Sequence, residues 1–290
     1  MSHQPNVVHH TALVNGIRVH FVEAGSGPPV ILLHGYPETW FAWRKQIPVL
    51  AERYHVIAPD LRGYGGTDKP VTGYDKRTMA QDIRGLMSHL GYVKVALVGH
   101  DRGARVATRF AKDHRDAIDR LVVMDNVPTR VVLNSINSRM LRGYWFFYFQ
   151  QILDLPEALV AGREDIYIRH FLRSWSYNPE MLDDEEIAVY VREYAQPGGM
   201  RGAFSDYRAG PVDWEQDVVD QDELIDCPTL AIWGADFEWV GKLVDMHAVW
   251  QGMARDVQGL PIPRCGHLPQ EEQPEVVNQA LLTFLDGWQG

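Results

Sequence analysis

The segment at residues 99–103, Gly-His-Asp-Arg-Gly, has a carboxylate, Asp101, with a glycine two residues before it and another two residues after it. It lies between an apolar run at 93–99 and a helix-like segment at 102–113. The two glycines let a strand turn abruptly into a helix, which lifts the side chain of Asp101 above the sheet. The unpaired amides of the helix N-terminus favour a negative charge there. Asp101 could instead be only a helix cap, but the paired glycines favour a nucleophile.

A carboxylate is ionised at neutral pH, so Asp101 needs no base to become nucleophilic. Attack on an acyl carbon would give a reactive anhydride, whereas attack on a saturated carbon gives an alkyl ester that water can hydrolyse. The sequence therefore indicates an sp³ electrophile, either a carbon–halogen bond or an epoxide. His267, in the segment Cys-Gly-His-Leu-Pro between the last strand and the last helix, is predicted to activate the water.

Two acidic residues could hold the imidazole. Asp125 follows the strand-like run 121–124 and Asp236 follows 229–233, and each could also be a turn-forming Asp. We favour Asp125, because it ends a clean apolar strand. In the segment His-Gly-Tyr-Pro at 34–37, the backbone N–H of Tyr36 is predicted to form an oxyanion hole with that of Arg102. His34 itself is as consistent with a structural role as with a catalytic one.

Two arginines follow the proposed nucleophile. Arg102 and Arg105 are three residues apart on the predicted helix, so their guanidinium groups share a face. Together they could bind a carboxylate through paired hydrogen bonds, although their spacing is equally consistent with surface salt bridges. The formal net charge of −10 argues against a nucleic-acid partner. We expect a small organic molecule, an anion in particular, as the substrate.

The pattern of elements predicts an α/β fold. Strand-like runs alternate with helix-like segments up to residue 127, which is typical of a mostly parallel sheet with helices on both faces. Asn15-Gly16 predicts a hairpin between 7–14 and 17–23, and helical periodicity extends over 38–52. Residues 128–222 have no strand-like run. We therefore predict a core formed by 1–127 and 223–290, with a helical cap (lid) at 128–222 over the site.

The composition and the motifs of the sequence indicate the cellular compartment and whether a cofactor is expected. No run approaches the roughly 18 apolar residues that cross a bilayer, and residues 1–15 lack an apolar signal segment. Cys227 and Cys265 are predicted to be free thiols. We expect a cytoplasmic protein without membrane attachment. No metal-ligand spacing or nucleotide-binding motif is recognised, so no cofactor is expected. The sequence does not fix the oligomeric state, and a homodimer is one that it allows.

The segments at 34–38, 60–65, 99–105 and 266–269 together resemble the α/β-hydrolase family, within it the haloacid dehalogenases and epoxide hydrolases. Asp-Arg-Gly-Ala-Arg at 101–105 is most similar to the fluoroacetate (haloacetate) dehalogenases. The resemblance implies that Asp101 attacks carbon and that Arg102 and Arg105 hold the substrate carboxylate. It also implies that Asp125 is the acid after the sixth core strand.

The resemblance further implies a halide site in the cap, formed by a His-Trp pair and a tyrosine. The tyrosine matches Tyr207. Counting back without gaps from Leu-Pro-Glu at 155–157 places Trp145 and Phe146 at the His-Trp positions. The loss of the histidine removes one N–H donor, which the Trp145 indole could replace. Fluoride needs the strongest hydrogen bonding, so we expect defluorination to be affected more than release of chloride or bromide.

Three functions therefore compete. Hydrolytic dehalogenation of a short 2-haloacid is favoured. Epoxide hydrolysis is the alternative, using the same Asp and His, with Tyr207 and either Tyr144 or Tyr148 as donors to the opening oxygen. A non-catalytic sensor on the same fold is the third, and it is disfavoured because nucleophile, base and acid are all present.

Overall fold

The computed structural model describes residues 6–135 and 138–290. In this part of the chain the strands are β1 (Val8–Val14), β2 (Ile17–Ala24), β3 (Pro29–Leu33), β4 (His55–Pro59), β5 (Val95–His100), β6 (Ile118–Met124), β7 (Thr229–Gly234) and β8 (Val257–Ile262). They form one sheet in the order β1-β2-β4-β3-β5-β6-β7-β8. The β1/β2 and β2/β4 pairs are antiparallel and the other neighbouring pairs are parallel. The predicted mostly parallel sheet is confirmed.

Helices flank the sheet and also form the cap. The first are α1 (Ile47–Leu50), α2 (Lys76–His89) and α3 (Asp101–Asp113). Between β6 and β7 lie α4 (Thr129–Asn134), α5 (Ser138–Gly143), α6 (Trp145–Phe149), α7 (Leu155–Val160), α8 (Glu164–Ser174), α9 (Asp184–Tyr194), α10 (Gly199–Arg208) and α11 (Gly210–Val219). The chain continues with α12 (Met246–Gln251), α13 (Pro269–Glu272) and α14 (Pro274–Leu285). The predicted helical insertion is therefore present between β6 and β7.

The two faces of the sheet are both buried, because alternate residues of each central strand point to opposite sides. In β3, Ile31 and Leu33 pack in the cluster that includes α2, α3 and much of the cap. Val30 and Leu32 pack on the other side with α1 and α14. The continuous apolar runs of the sequence follow from this double coverage.

The predicted hairpin forms where the Asn-Gly pair stands. Asn15 and Gly16 both have positive φ, at 47° and 78°, and Val14 pairs with Ile17. A two-residue turn of this kind matches the twist of the flanking strands.

The helix predicted over residues 38–52 is wrong as a continuous element. The segment contains a 3-10 helix, Trp40–Trp43, and the short α1. Pro48 explains the break, because it has no N–H to donate and its ring would clash with the carbonyl of Arg44 in a continuous helix.

Two other features bear on the sequence-based expectations. Cys227 and Cys265 are both unpaired, as predicted. Among the described helices, each is too short or too polar to traverse a lipid bilayer.

Candidate active site

The turn from β5 into α3 forces Asp101 into a left-handed backbone conformation, with φ of 45°. For a residue with a Cβ this costs roughly 1–2 kcal/mol. A Cβ on Gly99 would lie 2.6 Å from the Gly103 carbonyl oxygen, and one on Gly103 would lie 2.2 Å from that of Leu33. Only glycine fits at either position, so the two glycines allow the turn that presents the Asp101 carboxylate at the start of α3.

The loops after β6 and β8 bring an acid and a base to this carboxylate. His267 Nδ1 hydrogen bonds to Asp125 Oδ2, and His267 Nε2 lies 3.8 Å from Asp101 Oδ1. The Asp125 carboxylate also accepts a bond from the Gly234 N–H, at 3.1 Å. Because Nδ1 faces a carboxylate, Nε2 is left to accept a proton on the side of Asp101. The 3.8 Å gap is too long for a hydrogen bond, so Nε2 is available to a water molecule.

The other candidate acid does not reach the histidine. Asp236 accepts a hydrogen bond from the Arg264 N–H at 2.8 Å, in the loop after β7. It therefore has the turn-forming role that the sequence allowed for it. The structure thus places Asp125, the favoured candidate, against His267.

The environment of Asp101 stabilises its anion. The Tyr36 N–H donates to Asp101 Oδ2 at 2.9 Å, from one side of the predicted oxyanion hole. Burial alone would raise the pKa of Asp101, but His267, His100, Arg102 and this N–H outweigh burial and lower it. Arg102, the other predicted contributor to the hole, has its backbone N–H in the first turn of α3.

A buried imidazolium lies beneath the site, and the sequence analysis missed it. His100 Nδ1 is 2.8 Å from Glu38 Oε2, and its Nε2 is 2.6 Å from the His267 carbonyl oxygen. Both nitrogens face acceptors, so both carry protons. Burial would lower the pKa of His100, but the Glu38 carboxylate raises it to about 9. The Glu38 carboxylate is in turn held by the Gly35 N–H and the Gln270 amide, both at 2.7 Å.

His34, by contrast, has a structural arrangement. Its Nε2 accepts a hydrogen bond from the Leu61 N–H at 3.0 Å, so Nδ1 carries the proton and donates to the Gly35 carbonyl at 2.8 Å. Burial lowers the pKa of His34. The neutral ring is completely buried and lies outside the cavity described below.

The two arginines differ in how far they are engaged. Arg102 Nε and Nη2 donate to the two carboxylate oxygens of Asp206, at 2.9 and 2.6 Å, and Lys76 pairs with the same carboxylate. Arg102 Nη1 has no hydrogen-bond partner among the described residues. Arg105 Nη1 donates to Thr129 Oγ1 at 2.6 Å, and its Nε has no partner in the described part of the chain. Burial, followed by the charge of Arg102, lowers the pKa of Arg105.

A cavity lies between the sheet and the cap. Its wall is mostly aromatic and apolar. It is lined by Asp101, Arg102, Arg105, Asp125, Asn126, Val127, Gly143, Tyr144, Phe146, Phe147, Trp175, Tyr207, Phe237, Trp239, Val240 and His267. Asn126 was not anticipated, and it donates to the Asp101 carbonyl at 3.0 Å.

The expected position of the Trp145 indole is wrong. Trp145 is 42% exposed, and its ring stacks on Phe171 outside the cavity. Successive residues of a helix point about 100° apart, so Phe146 and Phe147 line the cavity instead. Neither can donate a hydrogen bond, so this helix supplies no polar contact to a leaving group.

Two cap tyrosines do reach the cavity. Tyr207 and Tyr144 both line it, whereas Tyr148 is 43% exposed and does not. Burial raises the pKa of both phenols, and for Tyr207 the charge of Asp101 raises it further. Both hydroxyl groups therefore keep their protons at neutral pH and can donate them to an oxygen or a halide.

The family model for the alpha/beta hydrolase fold matches residues 28–274, and the chain belongs to this family. It is a hydrolase of the epoxide hydrolase and dehalogenase type. It is 40% identical to the soluble epoxide hydrolase of Corynebacterium sp. (strain C12) over 96% of this chain and 97% of that protein. It is 35% identical to the fluoroacetate dehalogenase of Burkholderia sp., over 94% and 91% respectively. The solved structure of the epoxide hydrolase CorEH without ligand superposes with a TM-score of 0.91 at 39% identity, covering 97% of this chain and 99% of the other.

Proposed function

We propose that this protein hydrolyses small epoxides through a covalent ester on Asp101. The observation that carries the proposal is the pair of protonated phenols, Tyr207 and Tyr144, in the same cavity as the carboxylate. Ring opening at neutral pH needs a proton donor for the departing oxygen, and the O–H groups of two tyrosines that line the cavity can supply it. The 40% identity to a soluble epoxide hydrolase over nearly the whole chain supports the same function.

In the first step Asp101 Oδ1 attacks a ring carbon, the carbon–oxygen bond breaks, and a tyrosine protonates the oxygen. Oδ2 remains against the Tyr36 N–H as the carbonyl oxygen of the ester. In the second step His267 Nε2 takes a proton from water, which attacks Cγ of the ester. The Tyr36 N–H stabilises the oxyanion that forms, and Asp125 stabilises the imidazolium. Collapse breaks the bond between Cγ and Oδ1, and the leaving diol oxygen takes the proton from the His267 imidazolium. The Asp101 carboxyl group then returns its remaining proton to the tyrosinate, so that the carboxylate and the phenol are both restored.

The engagement of Arg102 also favours a neutral substrate over an anion. A guanidinium recognises a carboxylate best through two parallel N–H bonds. In Arg102 the Nε and Nη2 atoms already make such a pair of bonds to Asp206. The mostly apolar wall of the cavity fits a neutral epoxide.

Dehalogenation of a short 2-haloacid is the second candidate, because two arginines that line the cavity each have a guanidinium nitrogen without a hydrogen-bond partner among the described residues. The two nitrogens are Arg102 Nη1 and Arg105 Nε. Together they could bind one carboxylate, with the tyrosines as donors to the halide. The 35% identity to a fluoroacetate dehalogenase supports this candidate.

A parallel screen separates the two. We would measure diol from a panel of small epoxides and halide from fluoro-, chloro- and bromoacetate, using Asp101→Asn as the inactive variant. Asp236→Asn removes a carboxylate near the site but outside the cavity, and it should retain activity. We expect diol formation that Asp101→Asn abolishes. Halide release without any diol would favour the second candidate, and neither product would contradict both.

A further inference from the structure

The carboxylate of Glu272, at the end of α13, joins the loop of the catalytic base to the cap. Its Oε1 accepts the N–H groups of Gly266 and Leu268, at 2.8 and 3.2 Å. Its Oε2 accepts the N–H of Tyr177 from the cap, at 2.7 Å. The first two N–H groups belong to the residues on either side of His267. One side chain therefore fixes the backbone around the base and ties it to the cap.

The cap segment it binds is also in direct contact with the base. The His267 N–H donates to the Trp175 carbonyl at 2.8 Å, and the two rings meet edge to face with centroids 4.9 Å apart. A Cβ on Gly266 would lie 2.2 Å from the same carbonyl oxygen. The backbones of these two segments thus pack together without an intervening side chain. Any shift of the cap segment at 175–177 would move His267.

Asp125 does not provide this constraint. Its bond to Nδ1 orients the imidazole ring, but it does not hold the loop that carries the ring. The attacking carboxylate is held separately, by the Tyr36 N–H and by the turn into α3. Glu272 thus supports the base without contacting the nucleophile, whereas His100, next to Asp101, also holds the His267 carbonyl at 2.6 Å.

We propose that Glu272 is a positioning residue that seats the cap on the His267 loop and serves hydrolysis of the ester rather than its formation. This inference rests on the covalent mechanism proposed above. Loss of Glu272 leaves three backbone N–H groups without their acceptor and loosens the loop, which then keeps the bond from His100 to the His267 carbonyl and the bond from the His267 N–H to the Trp175 carbonyl. Asp101 then still attacks the substrate, but the water is activated more slowly, so the ester accumulates.

The test uses the full-length protein with an epoxide that the wild type converts. Glu272→Gln and Glu272→Ala are compared with Glu275→Gln, which removes an exposed carboxylate on the adjacent helix. Rapid quenching and mass spectrometry of the Asp101 peptide give the rates at which the ester forms and decays. A general loss of structure would slow both steps, whereas a displaced base slows only decay.

For Glu272→Ala we expect decay to slow about tenfold or more, because three hydrogen bonds between the loop of the base, the cap and Glu272 are lost together. Formation should stay within about threefold of wild type. The rate of ester decay in Glu272→Gln should lie between those of wild type and Glu272→Ala, because glutamine keeps one acceptor oxygen. Glu275→Gln should match wild type. Equal slowing of both steps, or no slowing in either variant, would overturn the inference. A His267→Asn variant that never forms the ester would instead contradict the proposed function.

Discussion

Replacing Asp206 with asparagine should destabilise the protein strongly. Asp206 lies in α10 and is completely buried. Its carboxylate binds Arg102 through two oxygens, pairs with Lys76 and accepts the Tyr64 hydroxyl at 2.7 Å. Asp213 completes the group, 3.1 Å from Lys76. Two cations and two anions thus balance within the protein. The substitution leaves one excess positive charge that is buried and cannot be hydrated.

The magnitude follows from this burial. Removing one partner of a buried ion pair costs about 3–5 kcal/mol, which is a large part of the 5–15 kcal/mol by which a typical domain is stable. Burial alone would raise the pKa of Asp206, but Arg102 and Lys76 outweigh it and lower it. The contribution is therefore present above the ordinary aspartate pKa near 4 and is lost as the pH falls through the lowered pKa.

Urea unfolding at pH 7, followed by circular dichroism, measures the loss. The matched control is Asp226→Asn, which removes a carboxylate that pairs with Arg115 and Arg255 at the surface. It should leave the midpoint nearly unchanged, because exposed pairs contribute little. Adding Lys76→Met to Asp206→Asn should restore part of the stability. The reasoning is refuted if the asparagine at 206 has as small an effect as the one at 226.

Three further results are expected. Tyr207→Phe and Tyr144→Phe should each slow epoxide opening about 10- to 100-fold, because each removes a proton donor. Tyr148→Phe, outside the cavity, should not slow it, and initial rates of diol formation measure the difference. Arg105→Met should raise the KM for haloacetates about tenfold and leave that for neutral epoxides unchanged, in parallel steady-state assays. Because its lowered pKa keeps Asp101 ionised down to acid pH, the rate of ester formation in a single turnover should be equal at pH 5 and pH 7.

The nucleophile turn was predictable because its determinants are local. Gly99 and Gly103 lie within two residues of Asp101, and each is required by a close contact that any Cβ would violate. The hairpin at Asn15-Gly16 is predictable for the same reason. Signals of this kind depend on backbone geometry over a few residues, which the sequence states directly.

The buried charge network could not be predicted in the same way. Asp206 meets Arg102 across 104 residues of sequence, and Glu38 meets His100 across 62. No periodicity or spacing relates such residues before the cap and the sheet are packed. The aromatic residues that line the cavity were also hard to predict from the sequence. A shift of one position along the helix decides whether Trp145 or Phe146 faces the cavity.

Oxygen-18 transfer in a single turnover tests most directly whether Asp101 forms a covalent ester. Enzyme in molar excess over an epoxide is reacted in ¹⁸O-enriched water, and the diol and the Asp101 peptide are analysed by mass spectrometry. We predict that the diol carries no label and that one labelled oxygen enters the Asp101 carboxylate. A diol that carries ¹⁸O from this first turnover, with the peptide unlabelled, would mean that water attacks the substrate directly.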